Sequence, residues 1–122
     1  EDDLMIQNII REVLDYHYDI EFASDGEEAL NLAQKNVPDI LLLDIMMPKM
    51  DGFDVCKILR KDSKFNNTII IMLTALSDKD SKSKGLKLGA DEFLTKPFNP
   101  IDLRNKIKLM LRLKKRLLNN IN

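Results

Sequence analysis

The chain predicts an α/β fold in which helices alternate with the strands of a parallel sheet. Three observations carry this reading. Ile40-Leu41-Leu42-Leu43 and Ile69-Ile70-Ile71-Met72-Leu73 are unbroken apolar runs of strand length, bounded by polar and turn-forming residues, as suits strands buried on both faces. The segments around them repeat apolar residues at helical spacing, the mark of helices that cover a sheet. Each run then stops in a residue able to do chemistry, Asp44 or Thr74, and open α/β sheets bind ligands at the carboxyl ends of their strands.

A length of 122 residues fits one domain, and 44% apolar with 32% charged residues fits a soluble globular one. The net charge of −1 offers no bulk attraction for nucleic acid, so direct nucleic-acid binding is not expected. No apolar run reaches the length of a membrane span and no secretory signal is visible, so a membrane role is not expected either. The single cysteine, Cys56, can form neither an internal disulfide nor a zinc site, which fits a reducing, cytoplasmic setting.

Taken in order, Leu4, Ile6, Ile9, Ile10, Val13 and Leu14 predict an amphipathic helix from about Asp3 to Tyr16, with Glu1-Asp2-Asp3 suited to its positive end. Ile20, Phe22 and Ala23 read as a short strand. Asp25 then caps a second helix, with Glu28 completing a capping box, and the helix ends near Asn36 before Pro38. The strand ending at Leu43 comes next, with Asp44 expected just outside the sheet, and Pro48 and Gly52 bar both an extended strand and an early helix. Phe53, Cys56 and Leu59 form the apolar stripe of a third helix, with Cys56 as a small core residue; Ser63 to Asn67 reads as a polar loop. After the second apolar run, a strongly polar fourth helix spans about Ser77 to Leu88, with Leu86 and Leu88 as its apolar contacts and Gly89 closing it. Phe93 and Leu94 form a short strand ended by Thr95-Lys96-Pro97. Asn99 caps the last helix and Pro100 opens it. Apolar residues carry that helix to the end of the chain. Its basic second half, including Lys106, Lys108, Arg112, Lys114, Lys115 and Arg116, reads as a solvated face or as the start of a linker or partner helix.

In a parallel sheet the strand carboxyl ends share one edge. Asp44, Thr74 and Lys96 each follow a strand, and Glu1 and Asp2 precede a helix where a strand would end. With Thr74 30 residues after Asp44 and Lys96 22 after Thr74, the chain resembles the receiver domain of two-component response regulators. The matching pieces are Glu1-Asp2-Asp3, Leu43-Asp44-Ile45-Met46-Met47-Pro48-Lys49-Met50-Asp51-Gly52, Thr74-Ala75, Gly89-Ala90-Asp91-Glu92-Phe93-Leu94 and Lys96-Pro97-Phe98. The resemblance implies a flavodoxin-like, doubly wound parallel sheet of order 2-1-3-4-5. It makes Asp44 the phosphoacceptor and Thr74 and Lys96 its hydroxyl and ammonium partners. It assigns Mg²⁺ to Asp2, Asp44 and the backbone carbonyl of Met46, with Glu1 acting directly or through water. It makes Thr74 and Phe93 the switch pair, with the Phe93 ring turned inward, and Lys96-Pro97 a cis peptide. Expected partners are a histidine kinase or phosphotransfer protein, a fused output domain, and a second copy docked through the face of the fourth helix, the Phe93-Leu94 strand and the last helix. Apart from Mg²⁺-dependent self-phosphorylation and autodephosphorylation, no enzyme activity is implied.

One departure stands out. The family begins with a buried strand before the acidic pair, and this chain starts at the pair. Residues 1–113 are therefore expected to form a receiver lacking its first strand, with 114–122 extending the last helix towards an output domain. The sequence is expected to belong to a longer chain. Without that central strand, a gap with two orphaned rows of backbone groups is expected between the first two strands, and with it poor stability or association. Two other readings stay open: a receiver-like interaction module that is not phosphorylated, and a phosphatase or phosphotransferase with an aspartyl nucleophile. The second wants an acid two residues after the nucleophile, where Met46 stands.

Overall fold

The computed structural model describes residues 2–13, 18–24, 26–44, 52–75 and 79–121 and, among these, all side chains but those at 2, 3, 13, 52, 81 and 118–121. Its elements are α1 (Asp2–Val13), β1 (Ile20–Ala23), α2 (Gly26–Lys35), β2 (Ile40–Asp44), α3 (Gly52–Arg60), a 3₁₀ turn (Ser63–Phe65), β3 (Ile69–Thr74), α4 (Lys79–Leu88), β4 (Glu92–Thr95) and α5 (Pro100–Ile121). The chain divides into two compact units, residues 15–97 and residues 1–14 with 98–122. No described helix is long and apolar enough to cross a membrane.

The larger unit is a four-stranded parallel sheet in the order β1-β2-β3-β4 with α2, α3 and α4. The gap expected between the first two strands is absent. β1 lies directly beside β2, with Ile20 opposite Ile40 and Ala23 opposite Leu43. Backbone donors and acceptors inside a sheet must be paired, and direct pairing of these strands satisfies both rows at once. Their amino ends are tied further: the Asp39 N–H donates to the Asp19 carbonyl at 2.8 Å, and the Asp19 N–H donates to Asp39 Oδ2 at 2.7 Å.

Burial follows the alternation of the strands. Leu41, Leu43, Ile70 and Met72 meet Ala29 and Ala33 of α2 and Val55, Cys56 and Leu59 of α3 in one core. Ile40, Leu42, Ile71 and Leu73, on the opposite face, are buried as well, as the composition of β2 and β3 predicts. Cys56 takes the core position expected of it.

Local differences have local causes. At the start of α2 Glu28 Oε2 accepts from the Ser24 hydroxyl at 3.0 Å, while Asp25, the expected cap, lies outside the described residues. The segment expected as a polar loop contains the 3₁₀ turn, with Phe65 buried in the core and the Lys64 N–H donating to Asp62 Oδ1 at 3.2 Å. A single aromatic in a polar stretch has no period to betray it. In α4, Leu88 packs against the core as expected, but Leu86 is 52% exposed and Gly85 is buried instead.

In the smaller unit α1 buries Ile6 and Ile9, and α5 buries Leu103, Ile107 and Met110. Arg104 of α5 grips Glu12 of α1, with Nη2 to Oε2 at 2.6 Å. Asn99 caps α5 as expected, its Oδ1 accepting the Asp102 N–H at 2.9 Å. Lys114, placed on a solvated face by composition, is only 7% exposed; the four-carbon stem of a lysine packs where its charge alone would not.

Glu21 on β1 carries a testable pH dependence. Partial burial, then the charge of Asp19 and a hydrogen bond with it, raise the Glu21 carboxyl above its ordinary value. The folded chain therefore holds this proton more tightly than the unfolded chain does. Stability contributed by Glu21 falls as pH rises from the ordinary carboxylate range through the raised folded value. Glu21→Gln is expected to flatten that slope and to gain a few tenths of a kcal/mol at neutral pH, solvent screening keeping the effect small. Urea denaturation of both proteins at several pH values checks it, and parallel curves would contradict it.

Candidate functional site

The strand register builds one end of the site. Asp44 is the last residue of β2, paired with Leu73, instead of standing just outside the sheet as expected. The cause is the length of β3, which runs to Thr74 and so offers Asp44 a ladder partner. Its side chain is 1% exposed. A carboxylate so withdrawn from water demands a compensating charge or donor.

Lys96 supplies the charge. Its Nζ lies 2.5 Å from Asp44 Oδ1, and the two meet because β4 ends where its backbone turns back on β3: the Lys96 N–H donates to the Thr74 carbonyl at 2.8 Å. The Lys96-Pro97 peptide is cis, as expected. The contact is a charge pair without hydrogen-bond alignment, for Asp44 Oδ1 accepts no hydrogen bond from the described residues. A buried carboxylate oxygen without a hydrogen bond still has lone pairs to offer an electrophile or a cation.

Thr74 is buried at the end of β3, opposite Thr95. Alternation puts Thr74 on the same sheet face as Phe93, since Met72 is the partner of Phe93. The Phe93 ring is buried in the core. Asp44, Thr74 and Lys96 thus share one edge, and Asp44 and Lys96 are in contact. Asp2 opens α1, but its side chain, together with Glu1 and Met46, lies outside the described residues. The donor that is described suits the expected cation: Mg²⁺ wants oxygen ligands and keeps several waters, so a carboxylate oxygen left without a hydrogen bond fits it.

Sequence reading missed the far end of the sheet. There Arg60, in the last turn of α3, donates from Nε to the Gly89 carbonyl at 2.9 Å, from Nη1 to the Phe65 carbonyl at 2.6 Å and from Nη2 to Asp91 Oδ2 at 2.7 Å. Asp91 Oδ2 also accepts the Ile70 N–H at 2.8 Å. Gly89 has φ +118°, and a Cβ there would lie 2.3 Å from Arg60 Cγ, so both its backbone and its contacts require glycine. The only sequence signal was the Gly89-Ala90-Asp91 match, and nothing local pointed to Arg60 as its partner.

The chain is similar to known proteins in sequence and in fold. The family model described as "Response regulator receiver domain" matches residues 1–108. The alkaline phosphatase synthesis transcriptional regulatory protein PhoP of Bacillus subtilis (strain 168) is 47% identical over 95 residues, 78% of this chain and 39% of that protein. The "Probable transcriptional regulator ycf27" of Guillardia theta is 53% identical over 95 residues, 78% of this chain and 36% of that protein. The chain therefore spans well under half the length of these two curated relatives. Among solved structures, the chemotaxis response regulator CheY4 of Vibrio cholerae superposes with a TM-score of 0.74 at 36% identity, covering 88% of this chain and 87% of that one.

Proposed function

Because the chain belongs to the response regulator receiver family, we propose that it accepts a phosphoryl group on Asp44 from a histidine kinase or a phosphotransfer protein. The observation that supports this most is the buried carboxylate at a strand end, charge-paired with Lys96 at 2.5 Å and holding an oxygen without a hydrogen bond.

The chemistry asks little of the protein beyond placement and neutralisation. A carboxylate oxygen of Asp44 attacks phosphorus, the bond to the donor's imidazole nitrogen breaks, and that nitrogen keeps the electron pair. The product is an aspartyl phosphate. Lys96, already on Asp44, gives the incoming oxygens a compact positive charge. Thr74 offers its hydroxyl to the same oxygens from the neighbouring strand. Asp44 with Asp2, Glu1 and the Met46 carbonyl would hold Mg²⁺, which when bound neutralises phosphoryl oxygen charge. The added charge is then read at Thr74 and Phe93 and passed to α4 and β4, where a partner or a second copy senses it. The names of the curated relatives suggest a transcriptional output, with the helical segment 114–121 of α5 as its link, in a cytoplasmic protein.

Incubation with acetyl phosphate and Mg²⁺ followed by intact-mass measurement tests the assignment. One phosphoryl group should be gained, hydroxylamine should remove it, and Asp44→Ala should gain none. An adduct that survives in Asp44→Ala would place the acceptor elsewhere and end the proposal.

A further inference from the structure

Gly85 stands inside α4, in its last turn, where glycine is a poor helix former and alanine would serve better. It is also buried, while Leu86 beside it faces water. A Cβ at Gly85 would lie 2.3 Å from Phe93 Cζ, 3.2 Å from Phe93 Cε1 and 3.0 Å from Phe53 Cε1. Two rings, one from β4 and one from α3, converge on the space where any other amino acid carries a carbon. Both rings are buried, and the outer one, Phe53, is covered by the Lys84 ammonium 4.9 Å from its centroid. The fit tolerates no added methyl group without moving a ring or the helix.

We propose that Gly85 is a positioning residue of the switch: its missing side chain is the seat that lets Phe93 lie inward under α4. The ring occupies the sheet face that also carries Thr74. Its seating therefore couples the phosphoryl site to the position of α4, and filling the seat uncouples them. This rests on the assignment of Asp44 as phosphoacceptor.

The test uses the full chain labelled with ring-¹³C phenylalanine, the Phe93 signals being identified by their loss in Phe93→Leu. The unsubstituted protein should show contacts between the Phe93 ring protons and the Gly85 α protons. Gly85→Ala should lower the seated population roughly tenfold or more, as expected of overpacking a filled core. The change in α4 amide exchange on treatment with acetyl phosphate and Mg²⁺ should shrink with it, while the Asp44 adduct still forms. Alanine at position 85 should cost much less stability in a Phe93→Leu background than in the unsubstituted one, and the double variant should fold even where Gly85→Ala alone does not. An unchanged ring population, an α4 response that survives Gly85→Ala, an equal cost in both backgrounds, or a double variant that fails to fold would each overturn the role of Gly85. A chain that takes up no phosphoryl group at all would instead remove the phosphoacceptor assignment, and the switch role falls with it.

Discussion

Lys96→Ala is expected to destabilise the chain by roughly 2–3 kcal/mol and to slow phosphoryl uptake about 10²–10³-fold. The first effect comes from Asp44. Its side chain is 1% exposed, and the Lys96 ammonium is the charge that contacts it. Removing one member of a buried pair leaves the other charge uncompensated, which typically costs about 3–5 kcal/mol. The lower figure applies here because 18% of the Lys96 side chain remains in water. The second effect comes from the phosphoryl oxygens, which lose a fixed positive charge where negative charge gathers. Stability and chemistry separate in the double variant. Asp44→Asn with Lys96→Ala should recover most of the lost stability, since no buried charge remains, yet take up no phosphoryl group. Urea denaturation with intact-mass kinetics reads both. Additive stability losses in the double variant would show that the pair is not what holds Asp44.

Arg60→Ala should cost about 2–4 kcal/mol and leave phosphoryl uptake per folded molecule unchanged. One guanidinium ties together the end of α3, the 3₁₀ turn, the turn after α4 and the strand start at Ile70, through Phe65, Gly89 and Asp91. Hydrogen bonds that involve a charged group are worth roughly 1.5–3 kcal/mol each, and these three share one donor group, so they do not add in full. The carbonyls of Phe65 and Gly89 would lose this donor while still partly shielded from water. Arg60→Lys should rescue little, because one ammonium cannot span three acceptors that a planar fork reaches in different directions. The site at Asp44 lies at the other end of the strands, so its chemistry should not follow the loss. Chemical denaturation should show a lower midpoint at unchanged slope. A slope change, or a lysine variant as stable as the parent, would contradict the clamp.

Much of this was legible before any coordinate. The apolar runs at 40–43 and 69–73 located β2 and β3, and Asn99-Pro100 located the start of α5, because each is a local pattern with a local cause. The strand ends at Asp44 and Thr74, and Lys96 just after a strand, put all three on one sheet edge, because parallel strands deliver their carboxyl ends to one side. Arg60 and Gly85 were not legible. In the sequence Arg60 is one more basic residue among many, and Gly85 one more small residue in a polar stretch. Their roles depend on Gly89 and Phe93, which arrive through separate elements. Lys114 misled for the opposite reason: its charge predicts water, and only packing shows its stem buried.

The amino-acid order alone determined which segments become strands and therefore which side chains come near one edge of the sheet, since strand burial and strand direction are written in residue pattern. Tertiary structure alone decided that β1 pairs with β2, that Asp44 sits inside the sheet, and that a glycine in α4 faces the ring of Phe93. Those outcomes are settled by competition among distant groups for hydrogen bonds and for space, and no local pattern records who wins it.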